Sequence, residues 1–319
     1  MTRSVSVVMP SLDDVDLLER NLPALLAEIA SRVTRDEVLV VDDTGRDVLA
    51  GALRARFPGV RVLALPENRG YARALRAGVE AAEHELIFSM NPDVLVRKGF
   101  LDPLVACLAE ADVAAVVPRI LLGGVEEKIE SLTALRERAG LIELEQPGLA
   151  GPGAPAQGLR LSPVAFAVGG ACLFRRKDFL ESGGFDPLYE PFYWEDIDWC
   201  WSHWRAGKRV LYQPASVVEH HHRGTIGRRV GKDFVRAVIE RNRLLFTWKH
   251  VDDPELQRRH LAAVYRWVLD AYLEDRREDL VWLAFALGQL EKAQAAREAQ
   301  PRSAHSMSEL LRRARPAAD

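Results

Sequence analysis

A chain of 319 residues, 48% hydrophobic and 28% charged, can bury a sizeable core as one large domain or as a domain with an appendage. Its formal charge of −3 lacks the basic excess that marks a nucleic-acid binder, and Cys107, Cys172 and Cys200 have no metal-type spacing, so they read as buried thiols in a reducing compartment. No basic stretch with an apolar core behind it opens the chain, and the apolar run at 280–290 is too short to span a bilayer, so a cytoplasmic protein is expected.

Apolar runs at 5–10, 37–42, 60–65, 85–90 and 113–118 end in turn or polar residues and predict buried parallel strands. Helical periodicity fills the intervals at about 15–31, 46–57, 69–83 and 100–111. This alternation predicts an α/β fold, a mainly parallel sheet flanked by helices, with a ligand beyond the carboxyl ends of the strands. Polar residues gather at those ends: Pro10-Ser11, Asp42-Asp43, Pro66-Glu67-Asn68 and Asn91-Pro92-Asp93. Residues 145–158 hold seven Gly or Pro in fourteen positions and predict a mobile loop, read as a lid or insertion over the site. A strand pair is expected over 208–222. Beyond about 233 the chain reads as helical, to 250, then over 254–274 and 277–299, and Arg312, Arg313 and Arg315 fall in a tail expected to fray.

Several short stretches carry chemistry. Asp42 and Asp43 end a strand, where a carboxylate can accept from a pyrimidine N–H or a ribose hydroxyl, or cap a turn. In "ENRGYARA", Gly70 permits close backbone approach and Asn68 offers a donor and an acceptor, while Arg73 and Arg76 read as solvated. "MNPD" offers Asp93 to a divalent cation, or makes an Asn-Pro turn with a capping Asp. The glycines of "VGG" (168–170) allow a ligand to approach closely. In "FYWEDIDWCW" (192–201) a helix begins near Trp194 and ends by Gly207, and Ile197, Cys200, Trp201 and Trp204 recur at core spacing. Glu195, Asp196 and Asp198 fall off that stripe, suited either to the helix dipole or to proton transfer in a semi-apolar pocket.

Taken in order, "VVMPSLDD", "VLVVDDTGRD", "PENRGYARALRAGVEAA", "MNPDV", "VGGACLFRRKDFLESGGFD", "FYWEDIDWCWSHWRAGKRVLYQP" and "VVEHHH" resemble the family 2 glycosyltransferases of GT-A fold, in particular the bacterial rhamnosyltransferase-like branch, over roughly 4–250. The resemblance implies a catalytic domain over 1–232, with a donor part to about 120 and an acceptor and base part over about 160–232, and a helical extension over 233–319. It assigns Asp42 to the nucleotide base and Pro10, Asn68, Gly70, Asn91, Asp93 and Gly170 to the nucleotide-sugar site. Asn91 stands where the family's Asp-x-Asp motif has its first Asp, leaving Asp93 as direct ligand to Mg²⁺ or Mn²⁺, with His220 as a further ligand and His222 the runner-up. Gly-rich, basic "RGTIGRR" (223–229) reads either as a flexible loop contacting diphosphate or as a solvated basic loop, while the resemblance implies that Asp196 is the catalytic base and that Trp194 and Glu195 face the acceptor.

The activity implied is inverting, metal-assisted transfer from a pyrimidine nucleotide diphosphate sugar, dTDP-rhamnose or a UDP-sugar. The acceptor would be a glycan or a lipid-linked glycan of cell-surface polysaccharide synthesis. Nucleic acid is not an expected partner. Membrane contact is expected to be at most peripheral, at the inner face, and the C-terminal helices offer apolar faces for a homo-oligomer. The alternative is a catalytically silent carbohydrate-binding or assembly subunit, favoured by Asn91 and opposed by the Glu195-Asp196 pair.

Overall fold

The computed structural model describes residues 3–149, 160–221, 230–303 and 305–316. Strands β1 (Val5–Ser11), β2 (Glu37–Asp42), β3 (Val60–Ala64) and β4 (Leu86–Met90) alternate with helices α1 (Val15–Ser31), α2 (Val48–Arg54) and α3 (Tyr71–Ala81). The pattern is the predicted one, with α1 at its expected bounds and α2 and α3 shorter. Strands β1 and β4 are buried along their whole length, as their unbroken apolar runs require. Helix α3 lies close on the sheet because Gly78 has no side chain: a Cβ there would sit 2.4 Å from Val8 Cγ1 and 2.7 Å from Val41 Cγ2.

The chain continues through β5 (Val94–Val96), α4 (Leu101–Cys107), β6 (Val113–Leu122), β7 (Ala134–Arg138), β8 (Leu141–Glu145), β9 (Ser162–Pro163), β10 (Ala171–Arg175), α5 (Arg176–Glu181), α6 (Glu195–Arg205) and β11 (Arg209–His220). The main sheet has the order β3-β2-β1-β4-β10-β6-β11-β5, with β9 on β11. β1 to β4 are mutually parallel and β6 runs parallel to β11. The expected parallel run is interrupted, however: β10 wedges antiparallel between β4 and β6. Ala171 to Phe174 are all buried, so this short segment suits an interior position. Pairing Ala171 with Met90 sets the start of β10 beside the end of β4.

The strand pair expected over 208–222 is instead one bent strand, β11, whose register shifts between Gln213 and Val217. Hairpin β7-β8, not anticipated from sequence, turns through Ala139 and Gly140, both at positive φ (50° and 88°). In the predicted loop over 145–158, Pro147–Leu149 form a 3₁₀ turn, and 150–159 lie outside the described residues.

Among the described residues five helices follow: α7 (Lys232–His250), α8 (Pro254–Leu273), α9 (Val281–Leu287), α10 (Leu290–Glu298) and α11 (Met307–Arg313). The helix expected over 277–299 is a 3₁₀ turn at Arg277–Leu280 followed by α9 and α10. The tail expected to fray forms α11, capped by the Ser306 hydroxyl and buried through Met307, Leu310 and Ala314. Arg315 reaches Glu145 at 2.9 Å. One hydrophobic core runs from β1 to Ala314, so the C-terminal helices pack as part of the same body. Among the described residues, no helix is long and apolar enough to cross a membrane.

Candidate active site

The carboxyl ends of β1, β2 and β4 open at the point where strand order reverses, the crevice that doubly wound sheets use for ligands. Pro10 and Ser11 close β1 there, pairing with Val41 and Asp42. Asp42 is fully buried: Oδ1 accepts from Thr44 N (2.9 Å) and Thr44 Oγ1 (2.6 Å), and Oδ2 from Leu49 N (2.8 Å). Both oxygens hold the turn into α2 at the end of β2. Asp43 accepts from Arg69 N (2.7 Å), Gly70 N (2.9 Å) and Asn68 Nδ2 (3.3 Å). These bonds fix the loop before α3, where Gly70 takes φ 78° and Asn68 stays exposed. Arg73 and Arg76, read as solvated, are exposed and also bond outward from α3, Arg73 bidentately to Glu190 (2.6 and 3.0 Å) and Arg76 to Gly183 O (2.8 Å).

Gly169 and Gly170 form the hinge between the two halves of the site. Asn91 N donates to Gly170 O (2.8 Å), and a Cβ on Gly170 would lie 2.4 Å from Asn91 Nδ2. Gly169 N donates to Asp196 Oδ2 (2.9 Å), and Gly169 O accepts from Tyr71 Oη and Ser89 Oγ, both at 2.6 Å. Successive glycines therefore carry Asn91 on one residue and Asp196 on the next.

Asp196 and Glu195 lie half-buried in the first turn of α6. Burial raises Asp196 above the ordinary carboxylate range, although the Gly169 and Ile197 amides oppose the shift. Burial and the adjacent Asp196 charge push Glu195 up to about 8, and its Oε2 is buried with no hydrogen-bond partner among the described residues. At neutral pH Glu195 thus keeps its proton, beside an Asp196 whose own proton affinity burial has raised. A raised folded pKa favours the protonated native state, so stability is present in full below the ordinary value and is lost as pH climbs to about 8. Glu195→Gln should remove that loss. Thermal melts at about pH 5 and pH 9 should show a smaller decline for the variant, and equal declines would contradict the assignment.

Two expectations along this helix are corrected. Trp194 has φ 76°, and this left-handed turn sends its ring inward against Phe246 (5.2 Å), leaving it 4% exposed and unable to face an acceptor. Tyr193 and Phe234 carry the exposed rings on this side. Asp198, expected off the core stripe, is 3% exposed and bound by Lys249 Nζ (2.8 Å), His250 Nε2 (2.6 Å) and Tyr189 Oη (2.7 Å).

On the far side of Asn91, β5 pairs with the end of β11 and sets His220 beside Val94, hence next to Asp93. His220 Nε2 lies 3.3 Å from Asp93 Oδ1, and Nδ1 lies 2.7 Å from Glu130 Oε2. Burial alone would depress His220, but hydrogen bonds to Asp93 and Glu130 push it up to about 10. The spacing of Asp93 and His220 fits a small divalent cation that displaces the imidazole proton, since adjacent ligands at about 2.1 Å from the ion stand about 3 Å apart. Glu130 stands behind the ring, the position in which an outer carboxylate would orient an imidazole toward a cation. Among the described residues no three His, Cys, Asp or Glu side chains form a complete cage. His221 points outward to Glu219 (3.1 Å); His222 and 223–229 lie outside the described residues.

The glycosyl transferase family 2 model matches residues 6–183. The chain belongs to that family. This family 2 chain is 29% identical over 224 residues to pre-mycofactocin glycosyltransferase of Mycobacterium tuberculosis, covering 69% of itself but 43% of that protein, less than half its length. It is 29% identical over 253 residues to N-acetylglucosaminyl-diphospho-decaprenol L-rhamnosyltransferase of the same organism, covering 72% of itself and 79% of that protein. Among solved structures it resembles GalNAc-T7 with UDP, GalNAc and Mn2+ (TM-score 0.59, 17% identity, 86% of this chain and 57% of that one). It also resembles the mannosyltransferase PcManGT of Pyrobaculum calidifontis with GDP-Man and Mn2+ (TM-score 0.53, 17% identity, 94% and 88%). The shared fold is GT-A. The matched family segment contains Asn91, Asp93 and the 169–170 glycines, whereas Glu195, Asp196 and His220 lie beyond it.

Sequence reading missed Glu130, Tyr71 and Ser89 as members of this family 2 site. Glu130 sits in an unremarked charged stretch, and only the folded sheet brings it to His220; Tyr71 directly follows Gly70, a cue that could have drawn notice.

Proposed function

We propose that this chain is an inverting glycosyltransferase acting on a pyrimidine nucleotide diphosphate sugar, with dTDP-rhamnose or a UDP-sugar as donor. A glycan or lipid-linked glycan of cell-surface polysaccharide synthesis would be its acceptor. One observation carries the reading: the Asp196 carboxylate is held on Gly169 N at 2.9 Å, one residue from the glycine that carries Asn91. A base and a donor site so juxtaposed suit in-line displacement. The acceptor oxygen bonds to the anomeric carbon as the bond from that carbon to the diphosphate oxygen breaks. The electron pair leaves with the nucleoside diphosphate, and the acceptor proton passes to Asp196 on the opposite face.

Asp93 and His220 would hold the cation, with Asn91 contributing a neutral amide and Glu130 orienting the imidazole. A divalent ion bound there would neutralise charge on the departing diphosphate. The Mn2+ in both similar structures supports this reading. A location at the cytoplasmic face of the inner membrane, with weak peripheral contact, suits a lipid-linked acceptor. Exposed Leu261, Tyr265, Tyr272 and Leu273 on α8 offer apolar surface for that contact or for a second copy.

The test is donor hydrolysis and transfer across UDP-, dTDP- and GDP-sugars, with Mn²⁺ and with chelator. Activity should follow a pyrimidine donor and vanish with chelator. Asp93→Ala should weaken donor binding mainly when metal is present, and His220→Ala should act likewise but less. Full activity in chelator would remove the metal role, and donor binding without hydrolysis or transfer would favour a silent assembly subunit. Gly170→Ala should weaken donor affinity by about tenfold, because the new Cβ displaces the Asn91 amide; isothermal titration with the donor measures this directly.

A further inference from the structure

The base-bearing helix begins in an unusual way. Tyr193 and Trp194, neither a glycine, take φ of 67° and 76° immediately before Glu195, and among the described residues no side chain caps α6. L-residues with side chains hold that conformation only when their surroundings impose it. The constraint comes from α7, outside the matched family segment. Asn242, fully buried, donates through Nδ2 to the carbonyls of Tyr189 (2.9 Å), Phe192 (3.1 Å) and Tyr193 (2.7 Å). The amide is held donor-side toward the turn by Arg241, whose Nε (2.9 Å) and Nη2 (2.7 Å) both donate to Asn242 Oδ1. Arg241 also donates to Glu190 O.

We propose that Asn242, oriented by Arg241, is a positioning residue for the Glu195-Asp196 pair, acting through the left-handed turn at Tyr193 and Trp194. Three carbonyls converging on one amide define the direction in which the chain enters α6. That direction decides whether Asp196 Oδ2 meets Gly169 N. Aspartate at 242 has the same shape but no donors, so the carbonyls would face a carboxylate and the turn would relax toward right-handed φ. Among the described residues no hydrogen bond joins Asn242 to Asn68, Gly70, Asn91 or Asp93, so the two functions separate.

The inference rests on Asp196 being the base, and its test is read on chains that keep Asp196. Asn242→Asp and Arg241→Lys are made, checked for a cooperative melt, and assayed for kcat, donor Kd and the pH profile of kcat. Both should lower kcat, by roughly 10–100-fold and several-fold respectively, with donor Kd within twofold and the pH profile displaced. Glycine adopts positive φ freely, so Asn242→Asp should cost less kcat in a Tyr193→Gly background than in the wild type. A folded variant of either kind with wild-type kcat and pH profile would overturn the proposal, as would kcat and donor affinity falling together. If Asn242→Asp does not fold, Arg241→Lys decides. Failure of the base reading would instead appear as full turnover by Asp196→Asn.

Discussion

Asp196→Asn is expected to leave nucleotide-sugar binding within a few fold while cutting turnover by roughly 10²–10⁴, the range for a lost general base. The amide can still accept from Gly169 N, so the turn that presents residue 196 survives and the loss falls on proton transfer. Raised basicity of Asp196 is useful here, because a carboxylate at its ordinary value is a weak acceptor for a sugar hydroxyl's proton. The neighbouring Glu195 would also change, since the Asp196 charge is part of what holds its proton. The pH profile of any residual activity should therefore move along with its size. Near-wild-type transfer by Asp196→Asn, measured at saturating donor, would rule out this residue as the base.

The second large effect concerns stability. Lys249→Met should destabilise the chain by about 3–5 kcal/mol, because it strands the buried Asp198 carboxylate without its cation. Lys249 also binds Asp186 Oδ2 at 2.7 Å, so the same change releases the turn before α6. Although burial opposes it, the Lys249 charge and the His250 hydrogen bond depress Asp198 to about 2. Burial keeps His250 neutral, with Nε2 donating to the carboxylate. The sign follows: a depressed folded pKa gives stability that is present above the ordinary carboxylate value of 3.8 and is lost as pH falls toward about 2. The gap between wild type and Lys249→Met in urea unfolding should be largest near neutrality and should close below about pH 3. A gap under about 1 kcal/mol at pH 7 would show that the ion pair contributes little.

Much of the architecture was readable in the chain. The apolar runs of β1 to β4 and the stripe of α1 are local patterns, and local patterns survive folding. The residues at strand ends were readable too, because a doubly wound sheet collects them at one rim. What escaped depends on partners far away in sequence. The chemistry of Asp198 is decided by Lys249 and His250, and that of His220 by Glu130, ninety residues earlier. Trp194 was expected to face the acceptor because nothing in its neighbours announces a left-handed backbone. The role of β10 as an antiparallel wedge was hidden for a similar reason: "ACLFR" fits an interior strand of either direction.

The irregularity in β11 has a consequence for how this family 2 chain can change. Side chains along a strand alternate between faces, so the residues between Gln213 and Val217 set the phase in which the strand resumes. Loss or gain of one residue there would leave both halves of the strand apolar and pairable. It would also exchange His220 for His221 or Glu219 beside Val94. Length at Pro214–Ser216 is therefore a coordinate of the site, even though none of those three side chains belongs to it. A change of side chain at exposed Ala215 leaves that phase alone, but a change in count does not.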